Sequence, residues 1–197
     1  MKRLFDILTS SFGILVLSPL IGIISVLIKS EGKGPVYYNA KRVGKNGILF
    51  GMYRFRTMLV DADRKGPSST TSTDPRITRT GKFLRKYKLD EIPQLFNVFT
   101  GQMSMVGPRP EVQKFTDLFT DDERIILSVK PGITDWASIW NSNEGQILEG
   151  ADDPDAAYMK LIRPEKIRLQ IQYVKNHNFF IDLKIFFLTI SKLVFRK

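Results

Sequence analysis

Residues 7–28 read Ile7-Leu8-Thr9-Ser10-Ser11-Phe12-Gly13-Ile14-Leu15-Val16-Leu17-Ser18-Pro19-Leu20-Ile21-Gly22-Ile23-Ile24-Ser25-Val26-Leu27-Ile28, without one charged side chain. As a straight helix they would be roughly 33 Å long, close to the hydrocarbon thickness of a bilayer. The run is too long for a secretory signal, and no small-x-small cleavage site follows it. Two topologies fit. One is a kinked spanning helix, since proline is common in spanning helices. The other is a helix-break-helix hairpin that enters and leaves on one side. Pro19 lacks an amide hydrogen and clashes with the carbonyl of Leu15, which predicts a break at Ser18-Pro19. The Ser18 hydroxyl can satisfy a carbonyl freed one turn back. Lys2 and Arg3 precede the run, and Lys29, Lys33, Lys41 and Arg42 follow it. The positive-inside rule puts both flanks on the cytoplasmic side, which only the hairpin satisfies.

Outward from this anchor the chain reads as one modest domain of α+β class, mainly helical, with a small β-hairpin. Its 197 residues are 43% hydrophobic and 25% charged, which excludes a disordered chain. The absence of cysteine excludes a disulfide framework and a thiolate metal site. A formal net charge of +10 points to anionic partners: lipid head groups, phosphates or nucleic acid. The division expected is a membrane anchor over 1–30, a membrane-surface catalytic domain over 31–178, and an amphipathic C-terminal helix over 179–197.

Within the domain, Val36 to Ala40 and Ile48 to Tyr53 are β-prone around Gly44-Lys45-Asn46-Gly47, whose Asn-Gly pair predicts a hairpin. Residues 65–75, rich in Ser, Thr, Gly and Pro, predict a mobile surface loop. Arg79 to Lys88 predicts a short basic helix, and Glu91 to Phe99 a helix stopped by Gly101. Val112 to Ser128 predicts an acidic helix closed by Pro131-Gly132. Asp152 to Asp155 is an acidic turn, and Pro164 to Lys175 opens the last helical region. In the tail, Phe179, Phe180, Phe186, Phe187 and Phe195 alternate with Asp182, Lys184 and Lys192. Such a helix either lies in the membrane interface or packs on the domain.

The chemistry concentrates in Leu89-Asp90-Glu91-Ile92-Pro93 and Gly107-Pro108-Arg109-Pro110. Asp90 before Glu91 and Pro93 fits a helix N-terminus, with Asp90 as its cap. The same pair fits a metal-assisted site. A carboxylate attacks an anionic diphosphate only if a cation bridges the charges and arginines neutralise the transition state. Magnesium takes one or two carboxylates plus substrate oxygens, so two acids are enough. Arg85 precedes Asp90 by five residues, and Arg54, Arg56, Arg76 and Arg79 lie upstream. Flanking prolines restrict Arg109, as suits either a bidentate phosphate contact or a structural ion pair. The lone His177 has no ligand partners and reads as structural. No Walker-type glycine loop is present, and an acidic pair among arginines does not suit a nucleic-acid module.

Several ordered motifs together resemble the bacterial sugar transferase family, the small monotopic phosphoglycosyl transferases that begin bacterial glycan assembly. They are Asp74-Pro75-Arg76-Ile77-Thr78-Arg79-Thr80-Gly81-Lys82-Phe83-Leu84-Arg85, Leu89-Asp90-Glu91-Ile92-Pro93-Gln94-Leu95-Phe96-Asn97-Val98 and Met103-Ser104-Met105-Val106-Gly107-Pro108-Arg109-Pro110. Lys130-Pro131-Gly132-Ile133-Thr134 with Trp136-Ala137, and Tyr53-Arg54-Phe55-Arg56-Thr57-Met58, also match, so the resemblance covers essentially the whole chain. It implies the re-entrant form of the anchor, with Ser18 and Pro19 at its break. It implies transfer of a sugar 1-phosphate from a UDP-sugar to polyprenyl phosphate, with UMP released, at the cytoplasmic face of the bacterial inner membrane.

In that scheme Asp90 is the nucleophile of a two-step ping-pong reaction and touches magnesium, with manganese as the alternative ion. Glu91 supports the metal shell or accepts the lipid-phosphate proton. Arg85 and Arg109 bind phosphate and nucleotide, with Arg54 and Arg56 beside them. The implied partners are the UDP-sugar, the polyprenyl phosphate, membrane lipids and downstream glycosyltransferases, with no nucleic acid. Sugar specificity is expected between Trp136 and Tyr158. Four positions depart from the family pattern: Arg54 for the usual Lys, Lys88 for Ser, Asp135 for Gly and Ser138 for Gln.

Overall fold

The computed structural model describes residues 1–62, 69–71, 73–141 and 143–195. Of the loop expected over 65–75, residues 65–68 and 72 lie outside the described residues. Helix α1 (Lys2–Ser30) runs through Pro19 without interruption, not as the broken pair that Ser18-Pro19 suggests. The reason is local. Ser18 Oγ donates to the Leu15 carbonyl at 2.8 Å, the acceptor that Pro19 cannot serve, and the turn closes without the missing amide.

Both ends of α1 are held by the same body. At the start, Lys2 meets Asp182 at 2.5 Å, and Arg3 donates to the carbonyls of Val98 and Phe99 at 2.6 and 2.8 Å. Asp6 is buried and accepts from Ser104 Oγ and the Met105 amide. At the far end, Ile24 and Ile28 are buried with Phe55 and Leu84. There Arg56 donates to the carbonyls of Ile28, Gly32 and Lys33 at 3.0, 3.2 and 3.0 Å. The opposite face leaves Leu4, Leu8, Phe12, Leu15, Val16, Ile23 and Leu27 exposed, at the spacing of one helical stripe.

Strands β1 (Tyr37–Val43) and β2 (Leu49–Phe55) pair antiparallel, with Tyr38 opposite Arg54 and Ala40 opposite Met52. Asn46 and Gly47 take φ of 57° and 77°, the left-handed turn that Asn-Gly allows at little steric cost. Period-2 alternation puts Tyr38, Ala40, Arg42, Met52 and Arg54 on one face of the hairpin, where they line a cleft. Helix α2 (Arg79–Lys86) is capped by Thr78. After a 3₁₀ turn (Leu89–Glu91) comes α3 (Gln94–Thr100), stopped by Gly101 at φ 88°. Asn97 of α3 fills the open edge of β2. Its Oδ1 accepts from the Tyr53 amide at 2.9 Å, and its Nδ2 donates to the Gly51 carbonyl at 2.7 Å.

A second, parallel pair joins β3 (Ser104–Val106) to β4 (Gly132–Thr134), where the sequence suggested only a helix-ending turn at Pro131-Gly132. The crossing is too tight for side chains: a Cβ on Gly132 would stand 2.1 Å from the Gly107 nitrogen. The acidic helix expected from Val112 to Ser128 is two pieces, α4 (Gln113–Thr116) and a 3₁₀ turn (Glu123–Ser128). Thr120 and Glu123 exchange side chain-to-amide bonds as a capping box, which restarts the chain there.

Helices α5 (Trp136–Trp140), α6 (Glu144–Ile147), α7 (Pro154–Leu161), α8 (Arg163–Asn176) and α9 (Phe179–Val194) complete a mainly helical α+β fold. Asp153 from the acidic turn caps α7. Helix α9 packs inward through Ile185 and Asp182, the latter receiving Tyr173 Oη at 2.6 Å. Its Phe186 and Phe179 meet Phe5 edge-on, so α9 lies beside the start of α1. Phe180, Phe187 and Leu193 stay exposed on its outer face.

Candidate active site

Lys88 takes φ 57° and turns the chain from α2 into the Leu89–Glu91 turn. Leu89 and Ile92 pack on the buried group of Ile24, Ile28, Phe55 and Leu84, as do Leu20 and Ile21 of α1. The turn is therefore seated on α1, while Asp90 and Glu91 line a cleft of about 1120 Å³. Asp90 is not a helix cap. Pro93 holds the N-cap position of α3 and makes no side-chain bond there. Asp90 is 2% exposed; its Oδ2 receives Arg54 Nη2 at 2.6 Å, and its buried Oδ1 has no partner among the described residues.

The same Arg54 nitrogen reaches Glu91 Oε1 at 2.8 Å, so one guanidinium bridges both carboxylates. Arg109 meets Glu91 through two nitrogens, one of them at 3.1 Å from Oε2. Arg109 is thus in an ion pair inside the cleft, where its guanidinium also lines the space open to a ligand. Burial alone would raise the Glu91 pKa, but Arg109, then Arg54 and Lys88, outweigh it and hold the group down at about 2. Burial pulls Arg109 the other way, and the facing Glu91 reverses this and raises it.

The turn that carries Arg109 is fixed by β3 and β4. Gly132 donates to the Pro108 carbonyl and Gly107 to the Thr134 carbonyl, both at 3.0 Å. Asp135 finishes the job, accepting the Arg109 amide at 3.1 Å through Oδ2 and the Ser138 amide at 2.7 Å through Oδ1. The Asp135 and Ser138 departures therefore form one helix cap on α5. An Asp three residues ahead of a Ser was the available sequence signal.

Arg85 joins the cleft, with Nε on Thr57 Oγ1 at 2.9 Å. Burial first, and Arg54 second, push its pKa down to about 10. Arg42, from the cleft face of β1, is lowered to about 10 for the same two reasons. Neither pairs with a carboxylate among the described residues, so the cleft holds positive charge in excess and suits an anion. Arg56 also lines the cleft, and its guanidinium closes the end of α1 through the carbonyls of Ile28, Gly32 and Lys33. His177 is structural: its Nδ1 lies 2.7 Å from the Val174 carbonyl and its ring stacks on Tyr173.

The far wall was not foreseen from sequence. Lys166 of α8 is buried 2.6 Å from Glu111 and 3.3 Å from Glu144, and Tyr158 Oη donates to Glu111 at 2.6 Å. Asn141 Nδ2 at this wall is buried without a partner among the described residues. Most of these groups fall in the stretch between Trp136 and Tyr158 where sugar contacts are expected.

For a metal, the donor set is small. No group of three acids or histidines occurs among the described residues. The orphaned Asp90 Oδ1 supplies one hard oxygen, and Glu91 oxygens are already taken by arginines. One carboxylate completed by substrate oxygens fits a magnesium or manganese ion.

The sequence model of the family described as bacterial sugar transferase matches residues 1–196. Undecaprenyl-phosphate glucose phosphotransferase of Komagataeibacter xylinus is 36% identical over 203 residues, covering 100% of this chain and 36% of that protein. UDP-N-acetylgalactosamine-undecaprenyl-phosphate N-acetylgalactosaminephosphotransferase of Aeromonas hydrophila is 38% identical over 197 residues, covering 98% of this chain and 43% of that protein. The chain thus spans less than half the length of these two relatives. It spans 87% of the uncharacterized sugar transferase EpsL of Bacillus subtilis (strain 168), to which it is 35% identical over 194 residues.

Proposed function

This chain belongs to the bacterial sugar transferase family, and from that premise we propose that it transfers a sugar 1-phosphate from a UDP-sugar to undecaprenyl phosphate. The products are the polyprenyl-diphosphate sugar and UMP. The observation that carries this reading is Asp90: a buried carboxylate with one unpartnered oxygen, in a cleft ringed by Arg54, Arg85 and Arg109.

The chemistry balances without an external oxidant or reductant. Asp90 Oδ1 forms a bond to the sugar-linked phosphorus, and the bond from that phosphorus to the bridging oxygen breaks. Its electron pair leaves with UMP. An oxygen of the lipid phosphate then attacks the same phosphorus and expels the Asp90 carboxylate. Arg54 holds Oδ2 and leaves Oδ1 to attack, and the incoming phosphates offer the guanidinium a second anion. A divalent ion on Asp90 would screen the repulsion between the carboxylate and the diphosphate.

Glu91, held near a pKa of 2, is a weak base. The second ionisation of a phosphate monoester lies near 6, so the lipid phosphate attacks largely as a dianion and needs little help from a base. Of the two roles implied for Glu91, support of the charged shell suits it better than proton acceptance.

The anchor reading rests on α1. A through-span would put its two ends on opposite sides of the bilayer, yet Arg3 and Arg56 fasten opposite ends of this helix to one body. A monotopic anchor held at the cytoplasmic face, with the stripe from Leu4 to Leu27 in lipid, satisfies both.

The decisive experiment is incubation with magnesium and a panel of UDP-sugars without lipid, followed by mass analysis of the peptide containing Asp90. A phosphosugar adduct is expected with the true donor. Asp90→Asn should lose adduct and turnover while still binding membranes; turnover by that variant would remove Asp90 as nucleophile.

A further inference from the structure

Resting on the transfer reaction above, we propose that Lys88 binds the phosphate of the lipid acceptor. Three observations converge on this residue. Its ammonium makes no hydrogen bond or ion pair among the described residues, unlike Arg54 and Arg109, yet it lines the cleft. Its charged neighbours are Glu91, Arg109, Asp90 and Arg54, so it shares the cleft with the acidic pair. Its backbone is left-handed, a conformation lysine rarely adopts, so the fold imposes where this side chain begins.

The edge of the cleft identifies which phosphate it meets. Leu89, its neighbour in sequence, packs on the cluster of Ile24, Ile28, Phe55 and Leu84, against which Leu20 and Ile21 of the anchor helix also pack. On the other side, Phe83 and Tyr87 of the α2 end are 54% and 50% exposed. Lys88 thus stands where an apolar, anchor-side rim meets the polar cleft. A lipid phosphate arriving from the membrane crosses that rim, with its head group against the ammonium and its chain on the apolar side. Arg109 is instead paired with Glu91, with Glu144 and Asp135 as its further charged neighbours, and would be left to the donor.

The test uses the full chain in nanodiscs, with undecaprenyl phosphate as acceptor and UDP-glucose and UDP-N-acetylgalactosamine as donors. Lys88→Asn removes the charge and keeps a residue that tolerates positive φ; Lys88→Gly serves if the first variant misfolds. Lys88→Arg retains the charge. Without the ammonium, binding of undecaprenyl phosphate should weaken roughly tenfold, the scale of one charge-assisted hydrogen bond, with a matching rise in acceptor KM. The donor-only adduct should fall by clearly less than acceptor binding, since the lipid phosphate and not the donor is the ligand of this ammonium. Lys88→Arg should recover most of the lost binding.

If donor-only labelling falls as far as acceptor binding, the ammonium serves the donor diphosphate and the proposal is wrong. Unchanged acceptor binding in the uncharged variant overturns it as well. A parent protein that forms neither adduct nor product with either donor would count against the transfer reaction instead. Direct binding of undecaprenyl phosphate would still report on Lys88.

Discussion

Glu91 accepts Arg109 through both oxygens and Arg54 through one, so its charge keeps two guanidinium groups in the cleft. Glu91→Gln leaves Arg109 buried beside a neutral amide, and breaking a buried pair in this way costs about 3 kcal/mol. Denaturant unfolding should show that loss, with turnover falling along with it. The pH dependence follows from sign. Glu91 has its folded pKa lowered from 4.5 to about 2, so its stabilisation is full above its unfolded value. It is lost as pH falls from about 4.5 to about 2. The stability gap between parent and Glu91→Gln should therefore close across that window. A gap that stays constant down to pH 2 would mean Glu91 is not held by its arginines. Arg56 teaches the complementary lesson. One residue beyond Phe55 in a strand-end motif, it reads like Arg54, but it is spent on three carbonyls at the end of α1.

At the scale of elements, the hairpin was legible because Asn46-Gly47 dictates its turn locally, and the extent of α1 because its apolar run is continuous, although the break expected at Ser18-Pro19 did not form. The Asn97 bridge was not legible. It links α3 to an edge of β2 that is more than forty positions away, and no local pattern marks it. Asn97→Ala removes partners for the Tyr53 amide and the Gly51 carbonyl, and should cost roughly 2 kcal/mol. It should also lower activity, because Tyr53 precedes Arg54 and the bridge fixes the strand that aims that guanidinium. Thermal unfolding together with turnover checks this; a stable variant of full activity would mean the hairpin sets Arg54 by itself. The parallel β3–β4 pair was hidden for a related reason. Strands of three residues give too short a run for alternation to declare itself, and their pairing depends on Gly107 and Gly132 meeting across the fold.

For the whole molecule, the claim to test is that both ends of α1 share one side of the membrane. The chain has no cysteine, so single cysteines can be introduced without background. Replacing Met1 or Ser30 with cysteine should give a thiol blocked by a membrane-impermeant maleimide only in inverted inner-membrane vesicles. Protection of one of the two from that side would mean the anchor crosses the bilayer. The apolar outer face of α9, beside α1, widens the same surface without itself being needed for that result.

The sequence by itself determined the long apolar helix, the hairpin, the acidic pair of Asp90 and Glu91, and a cationic surround suited to phosphate. Each of these is written in neighbouring residues: a run without charge, a turn that needs positive φ, two carboxylates in a row. Only the tertiary structure decided which arginines face those carboxylates, that both ends of α1 fasten to one body, and that Lys166 and Glu111 form the far wall. Guanidinium groups are chemically alike along the chain. What distinguishes them is the distance to a carboxylate or a carbonyl brought near by packing, and that distance exists only once the chain has closed on itself.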